Sequence, residues 1–187
     1  MKRARILCSL AIAAVATPGT AMPVQVGPRC TSLDELVSPA AFRRYPVNQY
    51  RGPLRKPDVR RGRAHLYRTA LGSSVRDAPD FAGHYQVVPL GCGAATYCPA
   101  FVDRVTGKVS FYPELRAVSV AGTMMEGHID ERYGNRLLYR ADSRLLALIG
   151  SRNEDERTEG VTLYEWQARG PRLIRFIPTK QICRIPL

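Results

Sequence analysis

A histidine and two cysteines stand close together in the stretch 80–111, "DFAGHYQVVPLGCGAATYCPAFVDRVTGKVSF", and could form a metal site, a catalytic site or a cross-link. Cys92 and Cys98 have five residues between them, a wider spacing than the two to four typical of structural zinc sites. The Cys-x-x-Cys pattern of thiol-disulfide oxidoreductases is absent, and the glycines around Cys92 lack the lysine of a phosphate loop. We therefore assign no metal and no cofactor to this stretch.

Two histidines remain possible functional residues. His84 is predicted to lie in a strand, where a hydrogen-bonded structural role is favoured because the sequence displays no catalytic partners for it. His128 lies in "MMEGHIDE" beside Glu126 and Asp130, which could form an acid-base or cation cluster or simply a solvated loop. We assign no catalytic residue, and we keep His84 and His128 as residues to test.

An arginine-rich arm from Arg43 to Arg68 holds most of the excess positive charge. Its cations, opposed only by Asp58, are Arg43, Arg44, Arg51, Arg55, Lys56, Arg60, Arg61, Arg63 and Arg68. Arginine pairs bidentately with carboxylate and phosphate, and interleaved tyrosines add flat contact area. We expect an anion-docking surface formed by Tyr50, Arg51, Arg55, Lys56, Arg60, Arg61 and Arg63. A solvated surface segment packed against the sheet is the alternative.

The chain begins with "MKRARILCSLAIAAVATPGTAMP", in which basic residues precede a short apolar run and then small residues. This order predicts a signal peptide over residues 1–21, with cleavage after Ala21 favoured over cleavage after Ala16. The apolar run is shorter than the roughly 20 residues that span a bilayer, so we expect an exported protein that does not span the membrane. Cleavage would lower the net charge from +12 to +9.

Four cysteines remain after cleavage, and an even number in an oxidising compartment predicts two disulfides. Of the three possible pairings we favour Cys92 with Cys98, across their own loop, and Cys30 with Cys183, near the two ends. Export also argues against nucleic acid as the normal partner and favours an acidic protein or an anionic envelope polymer.

The spacing of apolar residues, which indicates the secondary structure around these candidate residues, changes along the chain. "TSLDELV" at 31–37 predicts a short helix, the prolines at 46, 53 and 57 predict an extended arm, and apolar spacing over 61–75 predicts an amphipathic helix. After Pro79 apolar and polar residues alternate, which predicts strands. The turns between them are predicted at Thr106-Gly107, Ala141-Asp142-Ser143 and Arg169-Gly170-Pro171, so the strands should form hairpins. We therefore expect one α+β domain over 62–187 together with the arm in segment 22–61, with N-terminal helices packed on a mostly antiparallel meander.

The order of blocks in 68–109 resembles an uncharacterised family of small exported bacterial proteins. The shared pattern is a helix, then "DFAGHY", then "GCG" with a second nearby cysteine, then "VDRVTGKV". Pro89-Leu90 and the longer stretch between the cysteines depart from this pattern. The resemblance implies the compartment and the type of domain, and it carries no catalytic residues to this sequence.

Together these observations favour a periplasmic or extracellular binding or inhibitory module for an acidic protein or anionic envelope component. One alternative is a small periplasmic hydrolase or metal-dependent enzyme that uses His84 or the Glu126-His128-Asp130 loop. Another is a structural protein of the cell envelope. Fold alone does not decide among these classes.

Overall fold

The computed structural model describes residues 30–74, 78–94, 96–119 and 137–183. In these ranges an eight-stranded antiparallel sheet is accompanied by four short α-helices. The predicted signal peptide and the loop that holds Glu126, His128 and Asp130 lie outside the described residues. No helix in the described ranges has the length and apolar character needed to cross a membrane.

The strands follow the predicted hairpins. They are β1 Tyr85–Gly93, β2 Thr96–Asp103, β3 Val109–Ser110, β4 Val118–Ser119, β5 Leu137–Leu138, β6 Leu145–Arg152, β7 Gly160–Gln167 and β8 Gly170–Pro178. The order across the sheet is β1-β2-β4-β6-β7-β8, with β3 paired to β2 and β5 paired to β6. Every pair of strands is antiparallel, as the hairpin pattern predicts.

Two details of the predicted strands are wrong. His84 lies in the turn that precedes β1, because Ala82 and Gly83 take positive φ angles of 43° and 82° and delay the start of the strand. The β7–β8 turn falls at 168–169, and Gly170 already begins β8. Period-two spacing identifies a strand but does not locate its ends, which depend on the backbone conformation of the adjoining turn.

The helices are shorter than predicted. The first is α1, Leu33–Val37, and it is followed directly by α2, Pro39–Arg43, whose first turn is capped by the Ser38 hydroxyl accepting from the Ala41 amide. The helix predicted over 61–75 is two helices, α3 Gly62–Leu66 and α4 Arg68–Ser74. Tyr67 leaves the helical conformation between them, with φ −104° and ψ 19°, and its ring packs near that of Phe111. Packing against the sheet thus overrides the local periodicity.

Apolar residues are buried in three clusters. One joins α1 and α2 to β6, β7 and β8 through residues such as Leu36, Phe42, Leu145 and Ile149. A second is rich in aromatic rings and surrounds Trp166. The third joins α3 and α4 to β1 and β2, and its members are Ala64, Leu71, Val88, Leu90, Ala100 and Val102. This third cluster fixes α3 beside the β2–β3 hairpin.

Both predicted disulfides are present. Cys30 bonds to Cys183 with the two Cα atoms 4.9 Å apart, and Cys92 bonds to Cys98 with the two Cα atoms 5.9 Å apart. The first bond lies beside a β-bridge that joins Thr31 to Ile182, so it ties the two ends of the described chain together. Two disulfides are typical of proteins from an oxidising, exported environment.

The arm ahead of α3 is extended, as its prolines predict, and is fixed to the turns of the sheet by backbone hydrogen bonds. Three amides of the arm donate to carbonyl oxygens of those turns: Tyr50 to Gly83 at 2.8 Å, Arg55 to Arg104 at 2.8 Å and Asp58 to Gly107 at 2.7 Å. The arm is therefore part of the folded domain. Its last residues are placed against the β2–β3 hairpin and lead directly into α3.

Candidate anion-binding cleft

A cleft of about 490 Å³ opens where the end of the arm, the start of α3 and the β2–β3 hairpin meet. We call it the basic cleft. It is lined by Asp58, Arg60, Arg61, Arg63, Ala64, Thr106, Lys108, Val109 and Phe111. Four of these residues are cationic and one is anionic, so the cleft carries net positive charge. Its volume lies in the range of small-molecule binding sites.

The β2–β3 turn builds one wall of the cleft. The carboxylate of Asp103 accepts hydrogen bonds from the amides of Val105 at 2.8 Å and Thr106 at 3.2 Å, and from the Thr106 hydroxyl at 2.8 Å. Gly107 then takes a φ of +83°, a conformation that favours glycine. These contacts fix the chain direction just before Lys108 and so place that lysine at the cleft wall.

An ion pair at the end of the arm forms the opposite wall. The Arg60 guanidinium donates to both carboxylate oxygens of Asp58, from Nε at 2.8 Å and from Nη2 at 2.6 Å. Hydrogen bonding to Arg60 holds the pKa of Asp58 far below its ordinary value and raises the pKa of Arg60. Both groups stay charged, and the charge of Arg60 is locally compensated.

Arg63 is held over an aromatic ring. Its Cζ atom lies 4.5 Å from the centroid of Phe111, a cation–π contact that orients the guanidinium plane. A guanidinium stacked in this way keeps its N–H edges available for a carboxylate or phosphate group. Arg61, Arg63 and Lys108 have no ion-pair partner among the described residues. These three cations are therefore the ones available to an anionic ligand.

The structure brings together part of the predicted docking surface. Arg60, Arg61 and Arg63 line the basic cleft, whereas Tyr50, Arg51, Arg55 and Lys56 do not. The side chains of these last four residues are exposed. The backbone of Arg55 has a structural role, because its carbonyl oxygen accepts from Nε of the buried Arg104 at 3.1 Å.

Sequence reasoning missed Lys108 and Phe111, which complete the cleft from the hairpin. The predicted turn at Thr106-Gly107 could have identified Lys108 as a candidate, because Lys108 immediately follows that hairpin turn. No pattern in the sequence connects Phe111 to Arg63, because they lie on different elements that meet only in the folded domain.

His84 is held among structural groups. Its Nε2 atom lies 3.8 Å from Oδ1 of Asp103, beyond hydrogen-bonding distance, and its ring centroid lies 4.4 Å from that of Tyr85. The same Asp103 oxygen already accepts two amides of the β2–β3 turn. This geometry aligns the turn before β1 with the turn after β2. The alternative site around His128 falls outside the described residues and stays a prediction.

The basic cleft is therefore identified as a candidate anion-binding site from its own residues. These supply an oriented guanidinium, two further cations and an apolar wall within one concavity. Such a site binds anions through charge-assisted hydrogen bonds. Comparison with known proteins gives no further evidence about the function of this cleft. The chain matches no family model, no curated protein and no solved structure.

Proposed function

We propose that this protein is a non-enzymatic binding module that recognises an anionic partner through the basic cleft. The observation that carries the proposal is the convergence of Arg61, Arg63 and Lys108 in one cavity, without ion-pair partners among the described residues. Arg61 comes from the end of the arm, Arg63 from α3 and Lys108 from the hairpin, so the tertiary fold concentrates the charge.

The chemistry of the cleft suits a phosphate or carboxylate group. Arg63 can donate two parallel N–H bonds from a guanidinium already oriented by Phe111, which reduces the entropy lost on binding. Lys108 and Arg61 supply further positive charge. The Asp58–Arg60 pair also lines the cleft but adds no net charge to it, because its two charges compensate each other.

The place of action proposed here is the periplasm. The two disulfides support an oxidising exported compartment, and the predicted signal peptide and the resemblance to small exported bacterial proteins point the same way. Binding an acidic protein or an anionic envelope component there would require only the cleft and the stable domain that holds it.

Titration with inorganic pyrophosphate, followed by two-dimensional NMR of the ¹⁵N-labelled protein, tests the proposal. We expect saturable shifts at Arg61, Arg63 and Lys108, with binding that weakens as salt rises from about 0.05 M to about 0.3 M. The double variant Arg61→Gln/Lys108→Gln should bind at least about tenfold more weakly, because it lacks two charge-assisted donors.

The matched control is Arg169→Gln/Lys180→Gln, which also removes one arginine and one lysine. Both residues are exposed, and neither lines the cleft. This variant should bind pyrophosphate as the wild type does. Equal weakening in the two double variants would show that net charge, and not the cleft, controls binding, and the proposal would then be wrong.

A further inference from the structure

Large apolar side chains are exposed along the same segment that supplies the cations. Leu66 is 76% exposed, Leu54 is 40% exposed and Tyr50 is 37% exposed. In the described part of the chain only Leu173, on β8, is a comparable residue outside this segment. Exposed apolar residues scattered singly need no explanation, but several within one cationic segment do.

Leu66 lies beside Arg63 on α3. It follows Arg63 by three residues in α3, and residues with that separation are neighbours on one side of a helix. Arg63 lines the cleft, and Leu66 is its neighbour on the exposed side of α3. The third core cluster is formed by other residues of α3 and α4, which leaves the side chain of Leu66 exposed.

Leu54 belongs to the part of the arm that is fixed to the β2–β3 turn. The next residue, Arg55, is fixed by both its amide and its carbonyl to the buried Arg104. The carbonyl oxygen of Lys56 then lies against Gly107, in the turn whose neighbours Thr106 and Lys108 line the cleft. Leu54 therefore lies two residues along the chain from Lys56, whose carbonyl oxygen contacts the turn.

We infer that this face docks on the surface of an anionic phospholipid bilayer, with a lipid phosphate in the basic cleft and the leucines in the interfacial region. The inference rests on the proposed function and names its partner. A soluble polyanion offers charge but no apolar region for Leu54 and Leu66, whereas an anionic bilayer offers both. Cationic side chains around exposed leucines and a tyrosine match that surface in charge and polarity.

Co-sedimentation with vesicles tests the inference. The wild-type protein should bind vesicles that contain phosphatidylglycerol and phosphatidylcholine much more tightly than vesicles of phosphatidylcholine alone. Leu54→Ser/Leu66→Ser should lower partitioning onto the anionic vesicles by about tenfold, because less apolar surface is removed from water. The control Leu173→Ser, which removes an exposed leucine from β8, should stay within about twofold of the wild type.

A second part of the test substitutes the cations of the cleft. Arg61→Gln/Lys108→Gln should lower partitioning by roughly thirtyfold, as expected when two cations near a charged bilayer are lost. Arg169→Gln/Lys180→Gln should lower it clearly less. Equal losses in these two variants would indicate a long-range effect of net charge and would overturn docking by this face.

The two proposals fail separately. If Leu54→Ser/Leu66→Ser binds anionic vesicles as tightly as the wild type does, the bilayer inference is wrong, and the pyrophosphate titration decides independently whether the cleft binds anions. If that variant loses vesicle binding but Arg61→Gln/Lys108→Gln leaves pyrophosphate binding unchanged, the proposed function is wrong. All four substituted positions are exposed, so an unchanged circular dichroism melting curve is expected for each variant.

Discussion

The carbonyl oxygen of Lys56 lies 2.5 Å from the position that a Cβ atom on Gly107 would occupy. The next contact along the arm, from the Asp58 amide to the Gly107 carbonyl, measures 2.7 Å. The arm and the β2–β3 turn therefore meet backbone to backbone. This close approach brings Arg60, Arg61 and Lys108 into one cleft.

Gly107→Ala should destabilise the fold and disturb the cleft. Alanine at φ +83° is strained, and its Cβ would force the Lys56 carbonyl away. We expect a loss of about 2 to 4 kcal/mol in the free energy of unfolding, measured by urea denaturation. Gly72→Ala is the matched control, since a Cβ there meets nothing within 4 Å in an exposed helical position. It should stabilise by about 0.5 to 1 kcal/mol, and a loss at Gly72 equal to that at Gly107 would contradict this account.

Arg104→Met should also destabilise the domain, because Arg104 is only 6% exposed and connects separate segments. Its guanidinium donates to the Arg55 carbonyl and, at 2.6 Å, to the side-chain oxygen of Gln86, whose amide nitrogen in turn donates to Ser74. Methionine would leave the Gln86 oxygen buried without this donor, at a cost of about 1 to 3 kcal/mol. Limited proteolysis should then cut the arm faster than in the wild type. An arm protected as in the wild type would show that Arg104 does not hold it.

The two disulfides should contribute unequally to stability. In the chain-entropy model, a cross-link between residues 153 apart contributes up to about 5 kcal/mol, and one between residues 6 apart about 2 kcal/mol. Cys30→Ser/Cys183→Ser should therefore lower the free energy of unfolding in guanidinium more than Cys92→Ser/Cys98→Ser does. The reverse order would mean that the short cross-link stabilises the β1–β2 hairpin by more than chain entropy.

Glu165 should contribute to the loss of stability in acid. A hydrogen bond from Arg172, and then the charge of Arg144 at 2.9 Å, hold the pKa of Glu165 below its ordinary value of 4.5. A carboxyl whose pKa is lower in the folded state stabilises the protein above its unfolded pKa. That contribution disappears as the pH falls through the folded pKa.

Urea denaturation from pH 7 down to about pH 3 measures this effect. Glu165→Gln should be less stable than the wild type at neutral pH, and the difference should shrink as the pH falls through the lowered folded-state pKa of Glu165. A difference that is constant over this range would assign the effect of the substitution to packing and not to charge. Both arginines remain in the variant, so the comparison isolates the titrating carboxyl.

Much of the local structure is predictable from short patterns. Alternation identifies the strands on either side of Gly107, the Thr106-Gly107 pair identifies their turn, and prolines identify the extended arm. The spacing and number of cysteines predict both disulfides. Each of these inferences depends on residues near one another in the chain or on a small number of possible pairings.

The break at Tyr67 and the membership of the basic cleft required the tertiary structure. The periodicity of 61–75 is continuous, yet the Tyr67 ring packs near Phe111 and two helices form. Similarly, arginine content and proline spacing predict a cationic, extended arm, but they do not identify which of its cations lie together. Arg63 contacts Phe111, and Arg61 lines the same cleft as Lys108, because backbone hydrogen bonds fix the arm to a turn that lies 49 residues later in the chain. Hydrophobic period and charge are properties of a local segment, whereas a binding cleft depends on the distances between segments, and those distances are set by packing and hydrogen bonding in the folded chain.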